Sequence, residues 1–105
     1  MQDTTQNHVM ETVLFKLKDG VTTDAFLKAA EASVTYVENC SGFISRRLSG
    51  AAGTQWVETI EWASLADAEA ASAGLAAAEG IGDFLAAVDE TSVAMHHTKV
   101  QLSLR

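Results

Sequence analysis

The order of strand-type and helix-type segments is the feature that most restricts the fold of this chain. Residues 9–17, VMETVLFKL, are rich in β-branched and other apolar residues and end at the turn signal KDG, which predicts a first strand. From Thr23 to about Asn39 apolar residues recur every three or four positions, which predicts an amphipathic helix capped by Thr22 or Thr23. The apolar positions of this helix are Phe26, Ala30, Val34 and Val37.

The second half of the sequence repeats this order. The segments GFISRRLSG and TQWVETIEW, the second ending at Trp62, favour a β-hairpin around the small-residue loop GAAG. Ser64 then caps an alanine-rich helix that has Asp67 in its first turn and that we expect to end at Gly80. A further helical turn in IGDFLAAVD and a last strand in TSVAMHHTKVQLSLR complete the chain.

These elements give the order β-α-β-β-α-β. Crossover connections are right-handed in nearly all proteins, so both helices should cover one face of a four-stranded antiparallel sheet whose first and third strands are central. The predicted fold class is therefore α+β with a ferredoxin-like topology. With 105 residues the chain has the length of a single domain, residues 1–105, in which residues 1–8 are a polar N-terminal extension.

The central strands carry apolar residues on both faces. In the first strand Met10 and Leu14 alternate with Val13 and Phe15, and the third strand has the same character. Since the helices can cover only one face, the other face would leave an apolar patch larger than monomers usually tolerate. We therefore expect this face to be buried in a symmetric homodimer, the sheets pairing into a dimeric α/β barrel.

The acidic composition argues against two classes of partner. The formal net charge is −7 and the seven lysines and arginines are scattered, so we expect neither nucleic acid nor an anionic membrane surface as a partner. Cys40 is the only cysteine, which fits a reducing compartment. The polar start MQDTTQNH and the lack of a long apolar run predict a cytoplasmic protein.

Two glutamates occupy positions that otherwise belong to the core. Glu11 and Glu58 each lie on an apolar face of a predicted central strand. Burying an unpaired carboxylate costs several kcal/mol, so each needs a partner or contact with water. Arg46 and Arg47 are the nearest cationic candidates, and as neighbours on one strand they point to opposite faces.

Two interpretations of these residues remain open at this stage. One is an ion-paired network inside the barrel or across the dimer. The other is a polar end of an apolar, aromatic-lined pocket, in which Glu11 or Glu58 acts as a base and Arg47 or His96 orients an anionic or enolic ligand.

Histidine and tryptophan add further candidates. The side chains of His96 and His97 leave an extended strand from opposite faces and cannot readily bind one metal ion together, so we predict no metal site. A single histidine can instead be hydrogen-bonded in a half-buried position or carry protons. The expected catalytic residues are Glu11 and His96, and the expected ligand contacts are Arg47, Trp56 and Glu58.

The segments ETVLFKLKDG, GFISRRL, WVETIEW with the alanine-rich helix after it, and SVAMHH resemble the dimeric α/β-barrel superfamily. Within it they resemble the antibiotic-biosynthesis-monooxygenase-like and stress-responsive barrel proteins. The resemblance covers most of the chain and implies a barrel made from two sheets, with a cleft in each subunit. In different relatives this cleft serves cofactor-free oxygenation, lactone isomerisation, haem chemistry or no known reaction. In the stress-responsive branch a histidine often stands at the position of Glu11.

The resemblance implies a small-molecule-binding protein, with cofactor-independent monooxygenase-like chemistry on a flat or aromatic, for example quinone-like, organic molecule. No cofactor is expected. The alternative is a non-catalytic structural or stress-response barrel domain. A haem enzyme ranks last because the haem-binding relatives usually present the iron ligand from a helix, whereas all three histidines of this chain lie on or next to predicted strands.

Overall fold

The computed structural model describes residues 7–104. Of the polar extension predicted for residues 1–8, residues 1–6 lie outside this part of the chain. The described elements are β1 (Val9–Leu17), α1 (Thr23–Glu38), β2 (Phe43–Ser49), β3 (Trp56–Trp62), α2 (Leu65–Gly74), a 3-10 turn (Leu75–Ala77), α3 (Gly82–Ala87) and β4 (Val88–Lys99).

The four strands form one antiparallel sheet in the order β2-β3-β1-β4. The predicted ferredoxin-like arrangement, with the first and third strands central, is confirmed. The register between the central strands pairs Glu11 with Ile60 and Val13 with Glu58. The two glutamates are therefore diagonal neighbours on one face of the sheet, close enough for their charges to interact.

Helix α1 begins at the predicted cap, where Thr22 Oγ1 accepts a hydrogen bond from the backbone N–H of Ala25 at 3.1 Å. Three of the four predicted apolar positions are buried, but the expectation for Val34 is wrong: it is 43% exposed, and Ser33 is buried in its place. Positions 26, 30, 33 and 37 form one stripe along a helix, whereas position 34 is turned away from position 33 by about 100°.

Helix α2 begins at the predicted residue and ends earlier than expected. Ser64 Oγ accepts a hydrogen bond from the backbone N–H of Asp67 at 3.1 Å and donates one to the Asp67 carboxylate at 2.9 Å. The α-helix ends at Gly74 rather than at Gly80 and continues only as the 3-10 turn.

Helix α2 ends early because of a contact with helix α1. Tyr36 Oη donates a hydrogen bond to the carbonyl of Ala71 at 2.5 Å, and the backbone N–H of Leu75 bonds to the carbonyl of Ser72. A bond between residues three positions apart tightens the chain into a 3-10 turn. A Cβ atom at Gly74 would lie 2.8 Å from Tyr36 Oη, so a glycine there leaves room for the phenol.

The core lies between the helices and one face of the sheet. Its two clusters are built around Trp56 and Trp62, which are 1% and 2% exposed. The opposite face, called the open face below, has no helix of residues 7–104 packed on it and consists of the alternate strand residues. From β2 to β4 these residues include Ser45, Arg47, Ser49, Val57, Thr59, Glu61, Met10, Thr12, Leu14, Ala94, His96 and Thr98.

A bulge interrupts the pairing of β1 and β4. Residues 90–93 of β4 stand opposite the single residue Phe15. Ser92 Oγ accepts a hydrogen bond from the backbone N–H of Lys16 at 2.8 Å and so satisfies a donor that the interrupted ladder leaves free. Because the extra residues change the alternation of β4, apolar residues on both sides of the bulge face the helices.

Candidate functional site

An apolar cavity of about 180 Å³ lies between the sheet and the helices. It is somewhat larger than the cavity of about 150 Å³ that suffices to hold benzene in a protein core. Its mouth lies beside β4, where Leu85, Val93 and Met95 line it and are 40%, 41% and 45% exposed. The cavity can therefore admit a small organic ring from solvent.

One end of the cavity is polar because Glu11, Arg46 and Glu58 line it there. Arg46 Nε donates a hydrogen bond to Glu58 Oε2 at 2.8 Å, and Arg46 Nη2 forms an ion pair with the same oxygen at 2.7 Å. Arg46 Nη1 donates to Ser33 Oγ at 2.9 Å, and Ser33 donates in turn to the carbonyl of Ala30 at 2.5 Å. This network satisfies the charged pair in the core and explains why a serine is buried on α1.

Arg46 also contacts the last helix. Its guanidinium lies over the ring of Phe84, 5.4 Å from the ring centroid, at a distance suited to a cation–π interaction. Phe84 belongs to α3 and Ser33 to α1. The Arg46 side chain therefore links strands β2 and β3 to helices α1 and α3.

The carboxylate of Glu11 has a different environment. Its Oε1 atom lies 3.2 Å from Nε2 of His97, whose side chain is 27% exposed. Within residues 7–104, neither Glu11 Oε2 nor Glu58 Oε1 receives a hydrogen bond, and neither atom is completely buried. Two carboxylate oxygens are thus left to interact with a molecule in the cavity.

Burial perturbs the second carboxylate. The pKa of Glu58 is raised above its ordinary value of 4.5, first because the group is removed from water. The charge and hydrogen bonds of Arg46 oppose this effect, and the nearby charge of Glu11 adds to it. Raised carboxyl pKa values in a cavity are typical of groups that exchange protons, although buried ion pairs also show them.

The raised pKa of Glu58 predicts how stability depends on pH. A folded-state pKa above the unfolded value of 4.5 stabilises the protein below that pH, and the stabilisation is lost as pH rises through the folded-state pKa. We therefore expect the free energy of unfolding of the wild type, relative to Glu58→Gln, to fall as pH rises from about 4 to 7. Urea titrations of both proteins across this range measure it. Arg46, which lacks its charged partner in the variant, changes the free energy of unfolding by the same amount at every pH, since a guanidinium stays charged. A difference in free energy between the two proteins that does not change with pH would contradict the raised pKa of Glu58.

The structure brings two of the predicted site residues together and separates the other three from them. Glu11 and Glu58 line the cavity. Trp56 lies beside it in the aromatic core and is not among its lining residues in the described chain. Arg47 and His96 lie on the open face, away from the cavity, because each is one position out of phase with the residues that face the helices.

Ser33, Arg46 and His97 lie nearest the carboxylates but are not among the predicted catalytic and ligand-binding residues. The sequence indicated Arg46 only as one of two possible ion-pair partners, with Arg47, and His97 only as the neighbour of His96. The alternation contained the signal for two of them. Arg46 has the same parity as the half-buried Leu48 on β2, and His97 has the same parity as Met95 on β4. Ser33 could be found only by treating position 33 of α1 as part of the buried stripe.

Neither a metal-binding cluster nor a membrane-spanning helix is found among the described residues, 7–104. No group of three or more histidine, cysteine, aspartate or glutamate side chains is arranged there to hold a metal ion. Nor does any helix in this range combine the length and the apolar character needed to cross a bilayer.

Solved structures share the fold of this chain, a ferredoxin-like sheet with helices on one face, and a putative antibiotic biosynthesis monooxygenase from Chloroflexus aurantiacus is one of them. SnoaB from Streptomyces nogalater, a cofactor-independent oxygenase, matches with a TM-score of 0.73 and 12% identity, over 93% of this chain and 97% of SnoaB.

Other solved structures show the same fold. A protein of unknown function from Nitrosomonas europaea matches with a TM-score of 0.73 and 12% identity, over 96% of both chains. A nipsnap family protein with unknown function from Agrobacterium tumefaciens matches with a TM-score of 0.63 and 19% identity, over 90% of this chain and 89% of that one. No family model and no curated protein matches the sequence.

Proposed function

We propose that this protein binds a small, flat or aromatic molecule in the cavity between sheet and helices and acts on it as a cofactor-independent monooxygenase-like enzyme. The observation that carries the proposal is an apolar, open cavity with two carboxylates at one end, each retaining an oxygen that no donor of residues 7–104 meets. The fold shared with a cofactor-independent oxygenase supports the same function.

The proposed chemistry takes its electrons from the substrate. A carboxylate removes the proton of a ring hydroxyl, and the phenolate passes electrons from a ring carbon with carbanion character to O₂ and forms a C–O bond there. The peroxide anion takes up a proton, and the hydroperoxide then loses water, made from its OH group and the remaining hydrogen of the same carbon, which breaks the O–O bond and leaves a carbonyl group. We assign the base to Glu11, whose Oε2 receives no hydrogen bond from the described part of the chain, and the proton carrier to His97, whose Nε2 contacts Glu11 and whose side chain reaches solvent.

We propose further that two copies pair through the open face. Val57, Leu14 and Ala94 are register partners and form an apolar row across three strands of this face. Pairing would bury this row, and Arg47 and His96 would then serve the interface rather than the ligand. The cytoplasmic location stays a prediction from the sequence.

A non-catalytic structural or stress-response domain is the second candidate. The observation that favours it is the network of Arg46, Glu58 and Ser33, which ties the sheet to two helices and needs no ligand to do so.

Thermal unfolding with a panel of small phenols, hydroquinones and quinones distinguishes the two candidates. A ligand that binds only the folded state raises the midpoint, by several degrees when its concentration is about 100 times its Kd. We expect at least one compound to do this for the wild type and not for Glu11→Gln. Without ligand, Glu11→Gln should unfold within a few degrees of the wild type, because the Glu11 carboxylate contacts only His97 among residues 7–104.

The matched control is Glu31→Gln, the same change at an exposed position of α1, and it should keep the ligand shift. Compounds that shift the midpoint are then tested for O₂ uptake with no cofactor added. If no compound shifts the wild type while Glu11→Gln alone lowers the midpoint by many degrees, the structural candidate takes the place of the enzyme.

A further inference from the structure

The charges around the cavity restrict what its polar end can hold. Among residues 7–104, the lining residues with carboxylate or guanidinium groups are Glu11, Arg46 and Glu58. Arg46 is already matched by Glu58, with which it makes an ion pair and one hydrogen bond, and its Nη1 is used by Ser33. The carboxylate of Glu11, whose Oε1 lies 3.2 Å from His97 Nε2, therefore leaves an excess negative charge at this end of the cavity whenever the imidazole of His97 is neutral.

The same end offers acceptors to a ligand. Glu11 Oε2 and Glu58 Oε1 receive no hydrogen bond from residues 7–104, and ionised carboxylates have only acceptor sites. The rest of the lining in residues 7–104 is mostly apolar, with aromatic surface from Trp62 and Phe84 and hydroxyl groups at Tyr36, which donates to the carbonyl of Ala71, and at Ser72. A ligand that binds at the carboxylate end must therefore bring the donor itself.

On this basis we propose that the cavity selects an uncharged aromatic molecule whose polar end is a hydrogen-bond donor, a phenol-type hydroxyl seated on Glu11, and that it rejects aromatic carboxylates. This inference rests on the proposed function and names its ligand class. A carboxylate of the same shape would place a third negative charge beside Glu11 and Glu58 and would leave their free oxygens without a donor, both of which weaken binding.

The volume of the cavity limits the aromatic body. About 180 Å³ accommodates one ring fully, and a second fused ring can extend toward the open mouth at Leu85 and Met95. A naphthalene body is therefore a suitable probe, since one ring reaches the polar end while the other contacts the apolar mouth.

The test uses three compounds that share this body: 2-naphthol, 2-methoxynaphthalene and 2-naphthoate. Titration calorimetry at pH 7 gives the Kd of each for the wild-type protein. We expect 2-naphthol to bind about tenfold more tightly than 2-methoxynaphthalene, which lacks the donor, and at least about tenfold more tightly than 2-naphthoate. In Glu11→Gln the preference for 2-naphthol over 2-naphthoate should shrink, because the amide removes the charge and can itself donate; in Glu31→Gln it should persist.

Each remaining outcome has a defined meaning. If the three compounds bind the wild type with similar Kd values, or 2-naphthoate binds best, the proposed ligand class is wrong while a binding cavity stands. If the preference is present but unchanged in Glu11→Gln, the donor is not seated on Glu11 and the inference is overturned. If none of the compounds binds at millimolar concentration, the proposed binding function fails together with it.

Discussion

Arg46→Met is expected to lower the free energy of unfolding by about 3 to 5 kcal/mol, the range for removing one partner of a buried ion pair. The substitution leaves the Glu58 carboxylate, 8% exposed, without its ion-pair partner and N–H donor and leaves Ser33 Oγ without the donor that now contacts it. Methionine is apolar and of similar length, so the loss reflects the uncompensated charge more than a cavity. Urea unfolding followed by circular dichroism at pH 7 measures the change.

Two further proteins make this test specific. Lys28→Met removes a positive charge from an exposed position of α1 and should change stability by less than about 0.5 kcal/mol. The double variant Arg46→Met, Glu58→Met removes both charges together and should recover most of the loss, because replacing a whole buried pair with apolar residues is often neutral. An Arg46→Met variant within about 1 kcal/mol of the wild type would show that water reaches the pair through the cavity and screens it.

The fold could be predicted from the sequence because its signals are local. Strand composition, helix caps at Thr22 and Ser64, and the small-residue loop each depend on a few neighbouring residues. The end of α2 could not be predicted in the same way. It depends on Tyr36 of another helix, whose hydroxyl group bonds to the carbonyl of Ala71 and turns the next residues into a 3-10 turn.

The candidate site could be predicted only in part, for a related reason. Glu11 and Glu58 stand out because a carboxylate on an apolar strand face is unusual in any fold. Choosing between adjacent residues requires the register, since a shift of one position moves a side chain to the other face of the sheet. That is why Arg46 rather than Arg47 meets Glu58, and why His97 rather than His96 meets Glu11.

The proposed dimer predicts the other large effect. Light scattering coupled to size exclusion should give about twice the 11.1 kDa chain mass for the wild type at micromolar concentration. Leu14→Lys should give the monomer mass, because Leu14 is the centre of the apolar row with Val57 and Ala94 on the open face. A lysine there would have to be buried without a partner on pairing, at a cost of several kcal/mol.

Symmetry increases the effect of this substitution. In a twofold dimer each interface contains the changed residue twice, so two charges are buried and also repel each other, and the dimer Kd should rise by about 100-fold or more. Leu27→Lys is the matched control, since Leu27 is 47% exposed on α1, on the side of the molecule away from the open face, and this variant should remain dimeric. A wild type that elutes as a monomer, or a Leu14→Lys variant that stays dimeric beside it, would mean that the open face is not the contact between copies.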